Sequence, residues 1–168
     1  FAPSDKYAVF FLGSIVFGNM MPVIMGTKTI SDQVTFDESI PMQLVVVDLA
    51  TLTEVKRFET DPGAIIHFGH AFEEGDELII DGMFQDNFGA NETLSDVFNP
   101  DGRFGGGWYR RYHLNMKTGE LKSEQVMDTE CEFPTFNTSL TGSRNEVTYT
   151  ACSVDNGANS FFNGIARV

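Results

Sequence analysis

Residues Asp61 to Asp81 read DPGAIIHFGHAFEEGDELIID, and they constrain the chain more than any other stretch. Two apolar runs rich in Ile, Ala64-Ile65-Ile66 and Leu78-Ile79-Ile80, are too short for helices and have the composition of buried strands. Gly75-Asp76 turns the chain from one run into the next. Between the runs stand His67 and His70, two of only three histidines in the chain, and the acid pair Glu73-Glu74. The expected local structure is a strand, a short loop bearing metal-capable side chains, and a second strand. Imidazoles so near an apolar strand need an account, because a buried imidazole requires hydrogen-bond partners or a metal. The residues alone allow either a packing histidine beside a surface one, or ligands.

The rest of the chain repeats the β pattern. Tyr7 to Phe11 is a buried-type strand, and Gln43 to Asp48 is a second. Leu49 to Thr53 turns into Glu54–Glu59, which predicts an antiparallel hairpin over Leu44–Glu59. Trp108 to Met116 alternates, with Trp108, Arg110, Tyr112, Leu114 and Met116 on one face and Tyr109, Arg111, His113 and Asn115 on the other. His113, on the polar face, is expected at the surface. Lys117 to Glu120 turns this strand back, which predicts a hairpin over Tyr109–Met127. Glu146 to Cys152 and Phe161 to Val168 are two more strands, split at Asp155-Asn156-Gly157. Gly18 to Ile40 reads as a long connection with one short helix, its Met20, Met21 and Met25 expected to fill packing gaps. Gln85 to Gly107 reads as a functional loop or a mobile segment. Its closing Gly105-Gly106-Gly107 is not a phosphate loop, since no Lys-Ser/Thr comes after it. Short strands, regular turns and no long helix define an all-β sandwich, barrel or propeller.

A length of 168 residues with 42% hydrophobic content suffices for one ordinary core. The balance of 24 acidic against 11 basic residues gives a net charge of −13, which repels phosphate backbones and argues against a nucleic-acid partner. It also disfavours electrostatic docking on anionic lipid. No apolar run approaches the roughly 20 residues of a spanning helix. Cys131 and Cys152 have no metal-type spacing, and neither demand nor exclude a disulfide.

Ile66 to Glu77, IHFGHAFEEGDE, resembles the iron-ligand segment F-H-x-x-N-A-[YWF]-E-E-G-D-E of the carotenoid cleavage oxygenases. That family includes retinoid isomerohydrolases and stilbene-cleaving dioxygenases. A second block is similar to the family's R-[YW]-x-L-[ND]-x-x-T-G and E-F-P motifs: Tyr112 to Asn115, Lys117 to Glu120, and Cys131-Glu132-Phe133-Pro134. Phe1 to Phe11 resembles the segment just after another ligand histidine of the family, and Phe161 to Val168 a later propeller strand.

The resemblance implies a seven-bladed β-propeller, of which residues 1–168 would form about three blades and no second domain. It implies Fe(II) on the propeller axis, held by four histidines, an arrangement suited to O2 chemistry. The implied reaction splits a conjugated C=C bond of a carotenoid, apocarotenoid or stilbene with O2 into two carbonyl products. By the motif, His67 is an iron ligand, expected to be substantially buried, and Glu132 is the acid that hydrogen-bonds a ligand imidazole. His70 stands where the family has Asn, and is not assigned to iron. Glu73 and Glu74 match structural positions.

Only one of the four ligands falls within the chain. The sequence therefore reads as an internal piece of a longer protein, the remaining blades coming from the rest of that chain. Two other readings stand beside this one. The first is a non-catalytic propeller serving as a binding module. The second is an acidic β-domain holding another metal through His67, His70 and Glu73 or Glu74. The resemblance leaves compartment open among cytoplasm, plastid and a peripheral membrane contact.

Overall fold

The computed structural model describes residues 1–88, 106–154 and 162–168. The fold is all-β. Three antiparallel sheets succeed one another along the chain and lie side by side, their edge strands β1, β7 and β11 adjacent at the centre. The first sheet has the order β1 (Ala2–Pro3), β2 (Tyr7–Leu12), β5 (Met42–Asp48) and β6 (Thr53–Thr60). A small separate hairpin, β3 (Ile15–Phe17) with β4 (Val34–Phe36), is inserted between β2 and β5. The second sheet runs from β7 (Ala64–Glu74) through β8 (Glu77–Gln85) and β9 (Trp108–Asn115) to β10 (Leu121–Gln125). The third contains β11 (Cys131–Thr135), β12 (Tyr149–Cys152) and β13 (Gly164–Arg167).

Both expected hairpins are present. In the first, Asp48 Oδ1 accepts from the N–H groups of Ala50 and Thr51 and closes the turn between β5 and β6. In the second, Asn115 Oδ1 accepts from the N–H groups of Lys117 and Thr118. The predicted turn at Asp155-Asn156-Gly157 lies outside the described residues, as does most of Gln85 to Gly107.

β8 is buried along its length, which is why it reads as an apolar run rather than an alternation. Leu78, Ile80 and Phe84 pack with Tyr112 and Leu114 against Val9, Leu44, Val46 and Phe58 of the first sheet. Met83 points the other way and joins Tyr109, Cys131 and Cys152 beneath the third sheet. Both cysteines are free and buried, opposite one another across β11 and β12. Burial pushes the Cys131 thiol up to about 11.

Two expectations about the connections need correction. The segment from His67 to Glu74 is strand, not loop, and β7 continues to a tight turn at Gly75 with φ of 63°. The Met-rich connection does contain a short helix, α1 (Met21–Ile24), but α1 buries no residue. Met21, Ile24 and Met25 are exposed, so they fill no packing gap. Among the described residues no helix is long and apolar enough to cross a membrane.

Candidate metal centre

β7 is bulged twice against β8. Its partners run Ile65↔Phe84, Phe68↔Gly82 and Ala71↔Ile80, so each step takes three residues on β7 against two on β8. A bulge bends a strand and re-aims its side chains. His67 occupies the first bulge and His70 the second. This double irregularity hides the strand from a period-two reading of the sequence.

The bulge at His67 turns its ring toward β11. Nδ1 of His67 lies 3.0 Å from Oε2 of Glu132. An ionised carboxylate only accepts, so Nδ1 carries the ring proton and Nε2 keeps its lone pair. Glu132 is buried, and its acceptors are met on every side. Gln85 Nε2 donates to Oε1 at 3.0 Å, and the N–H of Phe133 reaches Oε2 at 3.3 Å. Thr150 Oγ1 donates to the Glu132 carbonyl at 2.7 Å, which ties the backbone to β12.

β11 carries its own bulge, with three residues from Glu132 to Thr135 against two on β12. Phe133 takes φ of 57°, a left-handed conformation uncommon for a bulky residue. The consequence is that two consecutive residues both meet His67. Glu132 holds its Nδ1 edge, and the Phe133 ring packs against it with centroids 5.0 Å apart. In a regular strand these two side chains would face opposite ways.

The His67 side chain is 44% exposed within residues 1–168, so the expected burial is not reached within this part of the propeller. Its ring is held from behind and open in front, where it lines a cleft of about 540 Å³. Phe1, Ile66, Phe133, Pro134 and Phe136 supply most of the apolar wall. Cleft and ring lie beside the inner strands β7 and β11 rather than inside either apolar core.

His70 is fully enclosed. Its Nε2 accepts from the Asn145 N–H at 3.2 Å, and its ring stacks on Phe72 at 5.2 Å. Nδ1 sits 3.5 Å from Asp81 Oδ2 with no hydrogen bond of ordinary length. Burial lowers the His70 pKa; Asp81 opposes this and Arg111 adds to it. Asp81 itself is engaged by Arg111 through Nε at 2.8 Å and Nη2 at 2.9 Å, and by the Tyr109 hydroxyl at 2.9 Å. Gly69 makes this approach possible, since a Cβ there would lie 2.9 Å from the Asp81 Cβ.

The acidic pair is occupied elsewhere. Glu73 accepts from Ser4 Oγ at 2.7 Å and the Lys6 N–H at 2.9 Å, joining the first sheet to the second. Glu74 pairs with Arg144 at 2.9 Å. A metal held by His67, His70 and one of these acids is therefore set aside. Among the described residues no three His, Cys, Asp or Glu side chains are grouped to hold an ion. His113 is also not the free surface residue expected. It is partly buried, with Nδ1 3.1 Å from Glu77 and Nε2 3.6 Å from Glu124. His113 and the segment from Arg144 to Thr148 line one cleft.

The family model for RPE65, retinal pigment epithelial membrane protein, matches residues 1–168. The chain belongs to this RPE65/carotenoid cleavage oxygenase family. It is 22% identical over 169 residues to the apocarotenoid-15,15'-oxygenase of Synechocystis sp., covering 100% of this chain and 34% of that protein. Crystal structures of an ACO/RPE65 chimera and of cobalt-substituted Synechocystis ACO each superpose with a TM-score of 0.81 at 20% identity, over 99% of this chain and 35% of theirs. The chain thus spans about a third of the length of these relatives. Its sheets are blades of the family's seven-bladed propeller, present here as an open arc.

The family motif points to His67 and Glu132, and the structure brings them together. Sequence reasoning missed Gln85 and the left-handed Phe133. Gln85 comes after an apolar run and matches no motif, so only the approach of β8 to β11 reveals it. It missed the Asp81 network too, although Asp81 and Arg111 are direct partners across β8 and β9.

Proposed function

We propose that the intact protein is a non-haem Fe(II) dioxygenase that cleaves a conjugated C=C bond of a carotenoid, apocarotenoid or stilbene. The carbon–carbon double bond is broken and each carbon takes one oxygen atom of O2, giving two carbonyl products. One observation carries this reading. Glu132 fixes the Nδ1–H tautomer of His67, which leaves the Nε2 lone pair available beside an apolar cleft. That donor suits ferrous iron with open positions, and bound iron would supply the activation of O2. Family membership, and the oxygenase and cobalt-substituted structure among the relatives, support the reading.

In this account residues 1–168 are one partial propeller domain, and the other three iron ligands come from blades outside it. His67 binds through Nε2, Glu132 holds the Nδ1 proton, and Phe1, Ile66, Phe133 and Phe136 exclude water from the path of an apolar polyene. A peripheral membrane contact belongs to this reading as a route to such apolar substrates. The second reading is a non-catalytic propeller that binds a partner.

The two are separated on the full-length protein by iron analysis and by O2-dependent loss of polyene absorbance. One iron per chain, with both carbonyl products labelled from ¹⁸O2, supports the oxygenase. Absence of both iron and turnover supports the binding module.

A further inference from the structure

We infer that Gln85 is a positioning residue for His67, acting through Glu132; this role rests on the metal reading above. Gln85 is the last residue of β8 and pairs with Ala64 at the start of β7. Its side chain crosses from the second sheet to the third, where Nε2 meets Glu132 Oε1 at 3.0 Å. The amide orientation is set by the partner, because a carboxylate oxygen accepts only from the NH2 side.

The contact matters because of how Glu132 is loaded. Oε2 takes the imidazole N–H at 3.0 Å and the Phe133 N–H at 3.3 Å, and Oε1 takes only the Gln85 amide among the described residues. A carboxylate held through one oxygen turns about its last torsion, which is broad. His67 and the Phe133 N–H both bind Oε2 and leave the carboxylate plane free to turn about that oxygen. Gln85 fixes the other oxygen and so fixes the direction in which Oε2 faces the ring. As a neutral donor it does this without an ion pair, leaving the charge of Glu132 directed at the Nδ1–H of His67. A cationic residue at this position would compete with the imidazole for that charge. The ladder is thus Gln85 to Glu132 to His67, reaching from the end of β8 to the metal-facing nitrogen.

The test uses the full-length protein and two variants. Gln85→Met keeps the side chain's length without a donor, and Gln85→Ala serves if Met does not fold. Fe(II) affinity, the visible spectrum of the Co(II)-loaded protein and the crystal structure of the metal-free protein are measured for each. Loss of the donor should weaken Fe(II) binding about tenfold, at the low end for lost partners of a ligand imidazole. It should also shift the Co(II) bands and turn the Glu132 carboxylate away from His67. Affinity and spectrum equal to wild type would overturn the role. If wild type itself binds neither metal, the metal reading fails. The metal-free structures then decide the rest: a rotated Glu132 in the variant upholds the positioning, and an unmoved one overturns it.

Discussion

The carboxylate of Glu132 lies 3.0 Å from Nδ1 of His67 and is buried, while the imidazole it holds is 44% exposed. The ring is anchored at its Nδ1 edge, and on the proposed reading Nε2 is the nitrogen left for the metal. Glu132→Gln keeps the shape but removes the charge. Its amide would accept from His67 with its own NH2 turned toward Gln85, whose amide would have to flip to accept it. In the intact protein we expect iron affinity to fall by roughly 10- to 100-fold. Metal titration against a competing chelator reads this directly, and an unchanged affinity would count against the pairing's role.

Asp81 receives three donor groups from Arg111 and Tyr109 in a fully enclosed position. Asp81→Ala leaves a guanidinium and a hydroxyl without their acceptor. Because Arg111 is partly exposed, the expected loss is about 2–4 kcal/mol, below the fully buried case. Denaturant unfolding of the intact protein measures it, and a loss under about 0.5 kcal/mol, the range of an ordinary surface substitution, would refute the assignment.

His70 resists protonation in the folded state, chiefly because it is buried. The unfolded chain takes up this proton near 6.5, and the folded chain only at lower pH. Protons then favour unfolding, so the stability from neutral His70 is complete above about pH 6.5. It is lost as the pH falls through the window beneath, at up to about 1.4 kcal/mol per unit. His70→Asn, the residue of the family pattern, should remove this component. Stability curves of the two proteins between neutral pH and pH 5 should diverge, and parallel curves would show that His70 does not titrate on unfolding.

Much of this arrangement was legible in the sequence. The two hairpins could be read from turn residues, since Asp48 and Asn115 cap their turns by their own side chains. The Leu78-Ile79-Ile80 run announced a buried strand, and the structure buries β8 along its length. The place of His67 beside Glu132 came from motif resemblance alone; no spacing rule joins residues so far apart in sequence. The features that sequence did not reveal have physical causes. Bulges break the alternation on which strand patterns rest, so β7 looked like a loop. The partial burial of His113 comes with its partners Glu77 and Glu124 on the strands either side of β9, a pairing that the periodicity of one strand does not show. The exposure of His67 and of Met21 and Met25 depends on what lies next to each strand or turn, and local composition does not encode that.

Phe133 offers a test of the bulge itself. Its positive φ suits Asn and is unfavourable for a β-branched residue. Because Phe133 is about half exposed, lost apolar burial should not dominate. Phe133→Asn should therefore be more stable than Phe133→Val by about 1 kcal/mol, against the order of hydrophobicity. Thermal unfolding of both variants decides it, and a more stable Val variant would mean that β11 adopts a regular strand there.

The central claim is that His67 presents Nε2 to iron. Anomalous diffraction at the iron edge from crystals of the full-length protein tests it most directly. The account predicts one iron peak per chain in bonding contact with Nε2 of His67, and loss of that peak in His67→Ala crystals of the same form. A peak that survives the substitution, or a wild-type protein with iron bound away from His67, would contradict it.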